Sequence, residues 1–122
     1  MYSLGVVIYK NGDKYRGMFK DGRPCGSGVM KYNFSIPGPN GSDHEEATYE
    51  GQFKAGKREG LGTMTWADHS VFVGVWKNDM RHKGEIKFSN GNCYRGEFQN
   101  DQLHGNGKLL MSSGVIYDGV FS

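Results

Sequence analysis

Few side chains in this sequence stand where covalent chemistry would need them. The run Asp43-His44-Glu45-Glu46 carries enough carboxylate and imidazole to attract a cation. Consecutive residues of an extended chain point alternately to opposite sides, however, so the run fits a solvated acidic loop better than a ligand set. His82 and His104 recur at equivalent places, and two histidines fall short of a four-ligand zinc site. Cys25 and Cys93 stand alone in unlike surroundings, which makes neither a disulfide framework nor a metal set and suits a reducing compartment. Glycine pairs such as Gly60-Leu-Gly62 occur, but no Gly-x-x-x-x-Gly-Lys-Ser/Thr or Gly-x-Ser-x-Gly element accompanies them. No nucleophile lies beside a base. The sequence calls for no catalytic group, no metal and no cofactor, and the chain is expected not to be an enzyme.

Two other residue classes are patterned strongly enough to matter. The first is aromatic: seven Phe, seven Tyr and two Trp in 122 residues. The second is glycine, 20 residues where about 7% of the chain would be ordinary. Five segments read aromatic-x-Gly-x-aromatic: Tyr15–Phe19, Tyr49–Phe53, Phe72–Trp76, Tyr94–Phe98 and Tyr117–Phe121. Each of the first four leads through a polar turn into a second segment of alternating glycine and apolar residues ending in Tyr32, Trp66, Phe88 or Met111. A half copy, Gly5–Tyr9, opens the chain. Fourteen of the sixteen aromatics and eighteen of the twenty glycines occupy repeat positions, so chance does not explain the pattern.

The period is two, which makes the elements strands. Tyr15, Gly17 and Phe19 share one face while Arg16, Met18 and Lys20 take the other. A helix would be a poor host for so many glycines, each costing about 1 kcal/mol against alanine. Each unit is therefore a β-hairpin, closed at turns such as Lys20-Asp-Gly-Arg23 and linked through Asn11-Gly12 and Asn90-Gly91. The expected fold is all-β, one elongated antiparallel sheet of stacked hairpins with about ten strands. A half repeat spans 5–14, repeats span 15–32, 49–71, 72–93 and 94–116, and a partial repeat spans 117–122. Residues 33–48, with Pro37, Gly38, Pro39 and Gly41, are expected to form an inserted loop, from which Phe34 and Ile36 could cover the aromatic face.

These hairpins resemble MORN (membrane occupation and recognition nexus) repeats, whose pattern Tyr-x-Gly-x-Phe/Trp-x-x-Gly-x-x-x-Gly-x-Gly is met throughout by Tyr49–Gly62. Asp79 and Asp101 replace the turn glycine in the third and fourth copies, and the third lacks a residue before Gly84. The resemblance implies a MORN solenoid and a non-catalytic scaffold role, with cytoskeletal or ciliary assemblies as one setting. The half hairpin at one end and the partial copy at the other lead to the expectation of a fragment of a longer array or a small protein that caps itself by self-association. Resembling arrays are also attached to lipid kinase, methyltransferase and exchange-factor domains.

Two surfaces follow as candidate sites. Glycine between two rings gives each ring a floor, so Tyr15, Phe19, Tyr32, Tyr49, Phe53, Trp66, Phe72, Trp76, Phe88, Tyr94 and Phe98 line an aromatic trough. Those rings either pack on one another as core or stay open to a partner peptide, a helix or another copy of the chain. The hairpin-turn edge carries Lys20, Arg23, Lys54, Lys57, Arg58, Lys77, Arg81 and Lys83 against Asp21, Glu59, Asp79 and Asp101. Such an edge suits an anionic membrane surface or phosphoinositide, at about 1 kcal/mol per close basic residue. It equally suits plain solvation, since lysine at a sheet edge blocks unwanted pairing. The chain's net charge of +2 is too balanced for a nucleic-acid binder. Its first eight residues lack a basic start and a cleavage site, so a cytoplasmic location is expected. Unpaired strands at Gly5–Tyr9 and Tyr117–Phe121 offer a route to a homodimer.

Overall fold

Alternation of ring and glycine with polar residues builds a single sheet. A computed structural model describes residues 2–36 and 43–121. It contains β1 (Tyr2–Ile8), β2 (Lys14–Lys20), β3 (Arg23–Ile36), β4 (Asp43–Lys54), β5 (Lys57–Thr65), β6 (Val71–Lys77), β7 (Met80–Lys87), β8 (Cys93–Gln99), β9 (Gln102–Leu110) and β10 (Ile116–Phe121). The ten strands lie in sequence order in one antiparallel sheet, and no helix occurs among the described residues. One face carries the rings and is here the ring face; the other is the outer face.

The turns explain the hairpins. Asp21-Gly22, Ala55-Gly56, Asn78-Asp79 and Asn100-Asp101 each place two successive residues at positive φ, between 50° and 83°. That is the type I′ turn, whose twist matches the twist of the strands it joins. After three of these turns a left-handed glycine, Gly26 (87°), Gly60 (90°) or Gly105 (65°), accompanies a bulge in the ladder. The third hairpin has lost that residue, and its register shift moves to Val75/Trp76.

Register then does something that no single repeat reveals. Gly5, Gly17, Gly28, Gly51, Gly62, Gly74, Gly84, Gly96, Gly107 and Gly119 are successive cross-strand partners, one from every strand. A Cβ at Gly28, Gly62 or Gly107 would run into the ring and hydroxyl of Tyr15, Tyr49 or Tyr94. A Cβ at Gly51 would meet the Cα of Gly62, the Leu61 carbonyl at 2.6 Å and the Tyr49 hydroxyl at 2.8 Å. The glycines therefore make room for tyrosine, as the sequence suggests, but also let neighbouring backbones approach. At Gly51 the second role involves β5, and Phe53 is not among the nearest contacts.

The expected inserted loop at 33–48 is mostly strand. Tyr32 pairs with Ala47, Asn33 with Glu46, Phe34 with Glu45, Ser35 with His44 and Ile36 with Asp43, so β3 and β4 run on as a two-stranded extension. β2 pairs with β3 only as far as Lys31, and β5 pairs with β4 only from Thr48. Backbone pairing continues because nothing before Pro37 removes a donor or forbids extension.

Candidate functional site

The ring face is packed in two tiers. The lower tier is a chain of edge-to-face rings, Phe19–Tyr15–Phe53–Tyr49–Trp76–Phe72–Phe98–Tyr94–Phe121, with centroids 5.0–5.4 Å apart. Each contact within a hairpin is followed by one to the next hairpin, so the stack is continuous across the array. Edge-to-face pairs add about 0.5–1.5 kcal/mol each beyond burial. Met30, Met64 and Ile86 fill the alternate strands, completing the buried cluster.

The eleven trough rings, expected either to pack on one another as core or to stay open to a partner, divide between the two. Tyr15, Tyr49, Phe53, Phe72, Trp76, Tyr94 and Phe98 are at most 6% exposed and serve as core. Phe19, Tyr32, Trp66 and Phe88 are half-buried and keep surface toward solvent. The physical reason is that rings leaning over glycine lie down on the sheet and cover one another, leaving the upper rim and the end ring Phe19 partly exposed.

The tyrosine hydroxyls settle within the same layer. Tyr15, Tyr49 and Tyr94 donate to the carbonyls of Met18, Gln52 and Glu97, each at 2.8 Å, near the bulges. Where the third hairpin lacks the bulge residue the ring is Phe72, whose Cζ sits against Gly74 and Gly84 where the other hairpins have a hydroxyl. Trp76 Nε1 donates to the Gly62 carbonyl at 3.2 Å. Burial pushes the phenols of Tyr32 and Tyr49 up to about 12, offset in part by the Arg58 guanidinium. Burial also raises Tyr15 and Tyr94.

The upper tier contains two arginine clamps. Arg58 on β5 pairs through Nε with Asp79 Oδ1 at 2.7 Å, while its Nη2 donates to the Asp79 carbonyl at 2.8 Å. Its backbone N–H donates to the same carboxylate at 3.1 Å, and Asp79 N–H donates to the Arg58 carbonyl at 3.0 Å. The guanidinium lies 4.5 Å from the Trp76 ring and 5.5 Å from Tyr32. Arg81 repeats the arrangement with Asp101 at 2.9 Å, over Phe98 at 4.9 Å and Trp66 at 5.7 Å. Charge-assisted bonds and ring stacking together hold the second hairpin to the third and the third to the fourth.

The expected basic edge changes accordingly. Arg58 and Arg81 do not face outward as free cations; each guanidinium is held on the ring face because a β-strand position paired with Phe53 or Trp76 must point to the ring side. Lys83 pairs with Val75 and Glu97 on the outer face, inside the sheet. Lys20, Arg23, Lys54, Lys57 and Lys77 remain exposed at the turns. The clamp was legible as a correlated departure: aspartate replaces the turn glycine only in the two copies that an arginine precedes by about twenty residues. Pro24 and Leu103 take the corresponding place elsewhere.

The opposite, loop edge is stitched by side chains. Asp13 Oδ1 accepts from Asn33 N–H (2.8 Å), Ser70 Oγ from Ser89 N–H (3.2 Å) and Asn92 Oδ1 from Ser112 N–H (2.9 Å). Among the described residues no three His, Cys, Asp or Glu side chains converge on a metal-sized site. His82 and His104 are exposed, and both cysteines are free and half-buried. The side chains of Phe34, Ile36, Asp43, His44, Glu45 and Glu46, to which the sequence assigns a cover and an acidic cluster, lie outside the described residues.

Comparison with known proteins agrees with this geometry. The MORN repeat family model matches residues 15–33, 49–71, 72–93 and 94–115. Human and mouse alsin are each 28% identical to this chain over 150 aligned positions, covering 98% of it and 9% of alsin. MORN repeat-containing protein 3 of Xenopus laevis is 29% identical over 82 residues, covering 62% of this chain and 30% of that protein. The chain thus spans less than a tenth of the alsins it matches.

Proposed function

This chain belongs to the MORN repeat family, a family of protein or membrane interaction modules, and from that premise we propose that it is a non-catalytic scaffold whose ring face docks a peptide or helix of a protein partner. The observation that carries the proposal is the upper tier of the ring face. Tyr32, Trp66 and Phe88 keep solvent-facing surface above a closed aromatic core, Tyr32 and Trp66 each beside a clamped arginine. Rigid aromatic rims beside guanidinium groups supply contact area at low entropic cost. A cytoplasmic setting within a cytoskeletal or ciliary assembly belongs to the same proposal, as does self-association into a homodimer.

Trp66→Ser tests it. The rim residue is half-buried and outside the edge-to-face chain, and circular dichroism with melting checks that the variant stays folded. Crosslinking mass spectrometry from cells should then lose the partners that the parent chain captures through the ring face. Retention of the same partners, at the same yield, refutes the ring face as the dock. A second surface, for an anionic membrane, rests on the five exposed basic residues at the turns, Lys20, Arg23, Lys54, Lys57 and Lys77. Reversing Lys54 and Lys57 to glutamate should abolish binding to phosphoinositide vesicles if that surface is used, and leave ring-face partners bound.

A further inference from the structure

We propose that the outer face of β1–β3 is a docking surface for an acidic, amphipathic helix of a partner protein, separate from the ring face. The observation is one of register. Leu4 lies opposite Met18, Val6 opposite Arg16 and Ile8 opposite Lys14; Arg16 in turn lies opposite Val29 and Lys14 opposite Lys31. These side chains therefore share one face. On it Leu4, Val6 and Ile8 are 78%, 56% and 71% exposed.

The charges of that face are all of one sign. Lys14, Arg16, Lys20, Arg23 and Lys31 are exposed, and no strand position on this face of β1–β3 holds a carboxylate. Asp21 lies in the turn between Lys20 and Arg23, and the acidic positions next in register are Glu50 and Glu46 on β4, across from Val29 and Asn33. Farther along the sheet basic residues do find acids, as where Arg95 pairs with Glu85 at 2.9 Å. Lys14 directly opposite Lys31 is a like-charge rung, an unfavourable arrangement without an anion above it. Three exposed aliphatics beside the exposed cations Lys14, Arg16 and Lys31 form a patch of the kind that marks an interaction site.

The arrangement favours a helix. Aliphatics line β1 while cations line β2 and β3, a side-by-side division that an apolar stripe with a carboxylate flank complements. Shallow grooves run between the two rows, one lined by Leu4, Val6, Arg16 and Val29 and another by Lys14, Arg16, Val29 and Lys31. A helix settles into the grooves and satisfies both.

The probe is a fluorescein-labelled 18-residue peptide with leucine along one helical stripe and glutamate on its flank, titrated with the 122-residue chain and read by anisotropy. Binding should be saturable and fall about tenfold between low and moderate salt. Lys14→Glu with Lys31→Glu should weaken it at least about tenfold, as should Leu4→Ser with Ile8→Ser. Lys54→Glu with Lys57→Glu, and Trp66→Ser, should leave it unchanged, which separates this face from the turn edge and the ring face. All these positions except the half-buried Trp66 are exposed, and circular dichroism checks that each variant stays folded. The proposal is overturned if a lysine-flanked peptide binds equally well, or if the Lys14/Lys31 variant keeps full affinity. Capture on phosphatidylserine vesicles under conditions where the peptide does not bind would overturn it in favour of a membrane.

Discussion

Replacing Gly51 with alanine is a sharp test of the glycine row. Gly51 is at the centre of the sheet, and its added methyl would overlap the Gly62 Cα and approach the Leu61 carbonyl to 2.6 Å. Those are backbone atoms held by strand pairing on both sides of β5, so no rotamer change relieves the contact. The Tyr49 hydroxyl, 2.8 Å from the same methyl, is fixed by its bond to the Gln52 carbonyl. Overpacking of this kind costs about 1–3 kcal/mol, and the upper half of that range applies where the neighbour is backbone. Alanine's smaller unfolded-state entropy returns about 0.4–1 kcal/mol. The net destabilisation is about 2 kcal/mol, equivalent to a fall in melting temperature of roughly 8 °C for a chain of this size. Gly119 supplies the internal control: it lies in the same row, but a methyl there meets nothing within 4 Å. Thermal and urea melts followed by circular dichroism should therefore separate Gly51→Ala from Gly119→Ala, with the latter within about 0.5 kcal/mol of the parent. Equal melting of the two variants would show that close approach between strands is not what the row provides.

Three further outcomes are expected. A double-mutant cycle on Arg58→Ala and Asp79→Ala should give a coupling of at least about 1 kcal/mol, because the pair is bonded through side chain and backbone together; a coupling near zero would reduce the clamp to an ordinary surface pair. Tyr49→Phe should cost about 1 kcal/mol in urea unfolding by leaving the Gln52 carbonyl without its donor, whereas a neutral result would show that water or backbone replaces the bond. Tyr32 and Tyr49 hold their phenolic protons up to about pH 12 when folded and lose them near 10 when unfolded, so the unfolded chain binds fewer protons between those values. Stability should then be level below pH 10 and fall as pH rises from 10 to 12, with phenolate absorbance appearing together with unfolding; ionisation near pH 10 in a chain that stays folded would contradict the burial of these rings.

The sequence by itself determined the parts of this protein that depend on neighbours along the chain. Period two in Tyr15-x-Gly17-x-Phe19 specifies a strand and its faces, and Asp21-Gly22 or Ala55-Gly56 specifies a hairpin, because side-chain alternation and turn dihedrals are local properties. The repeat count and all-β class follow from them. Tertiary structure decided whatever depends on how strands some twenty residues apart are aligned. A one-residue change of register would move Arg58 from Trp76 to the outer face and separate Lys14 from Lys31, and no single repeat carries that information. The same summation joined one glycine per strand into a continuous row and turned seven rings from candidate contacts into core. It also left aliphatics and cations together on the far face of β1–β3. At 33–48 local signals misled for the same reason: Pro37, Gly38, Pro39 and Gly41 suggest a loop throughout, while pairing of β3 with β4 carries the strands to Ile36 and Asp43. Cross-strand geometry is cooperative, fixed only when every hairpin has docked on the one before it.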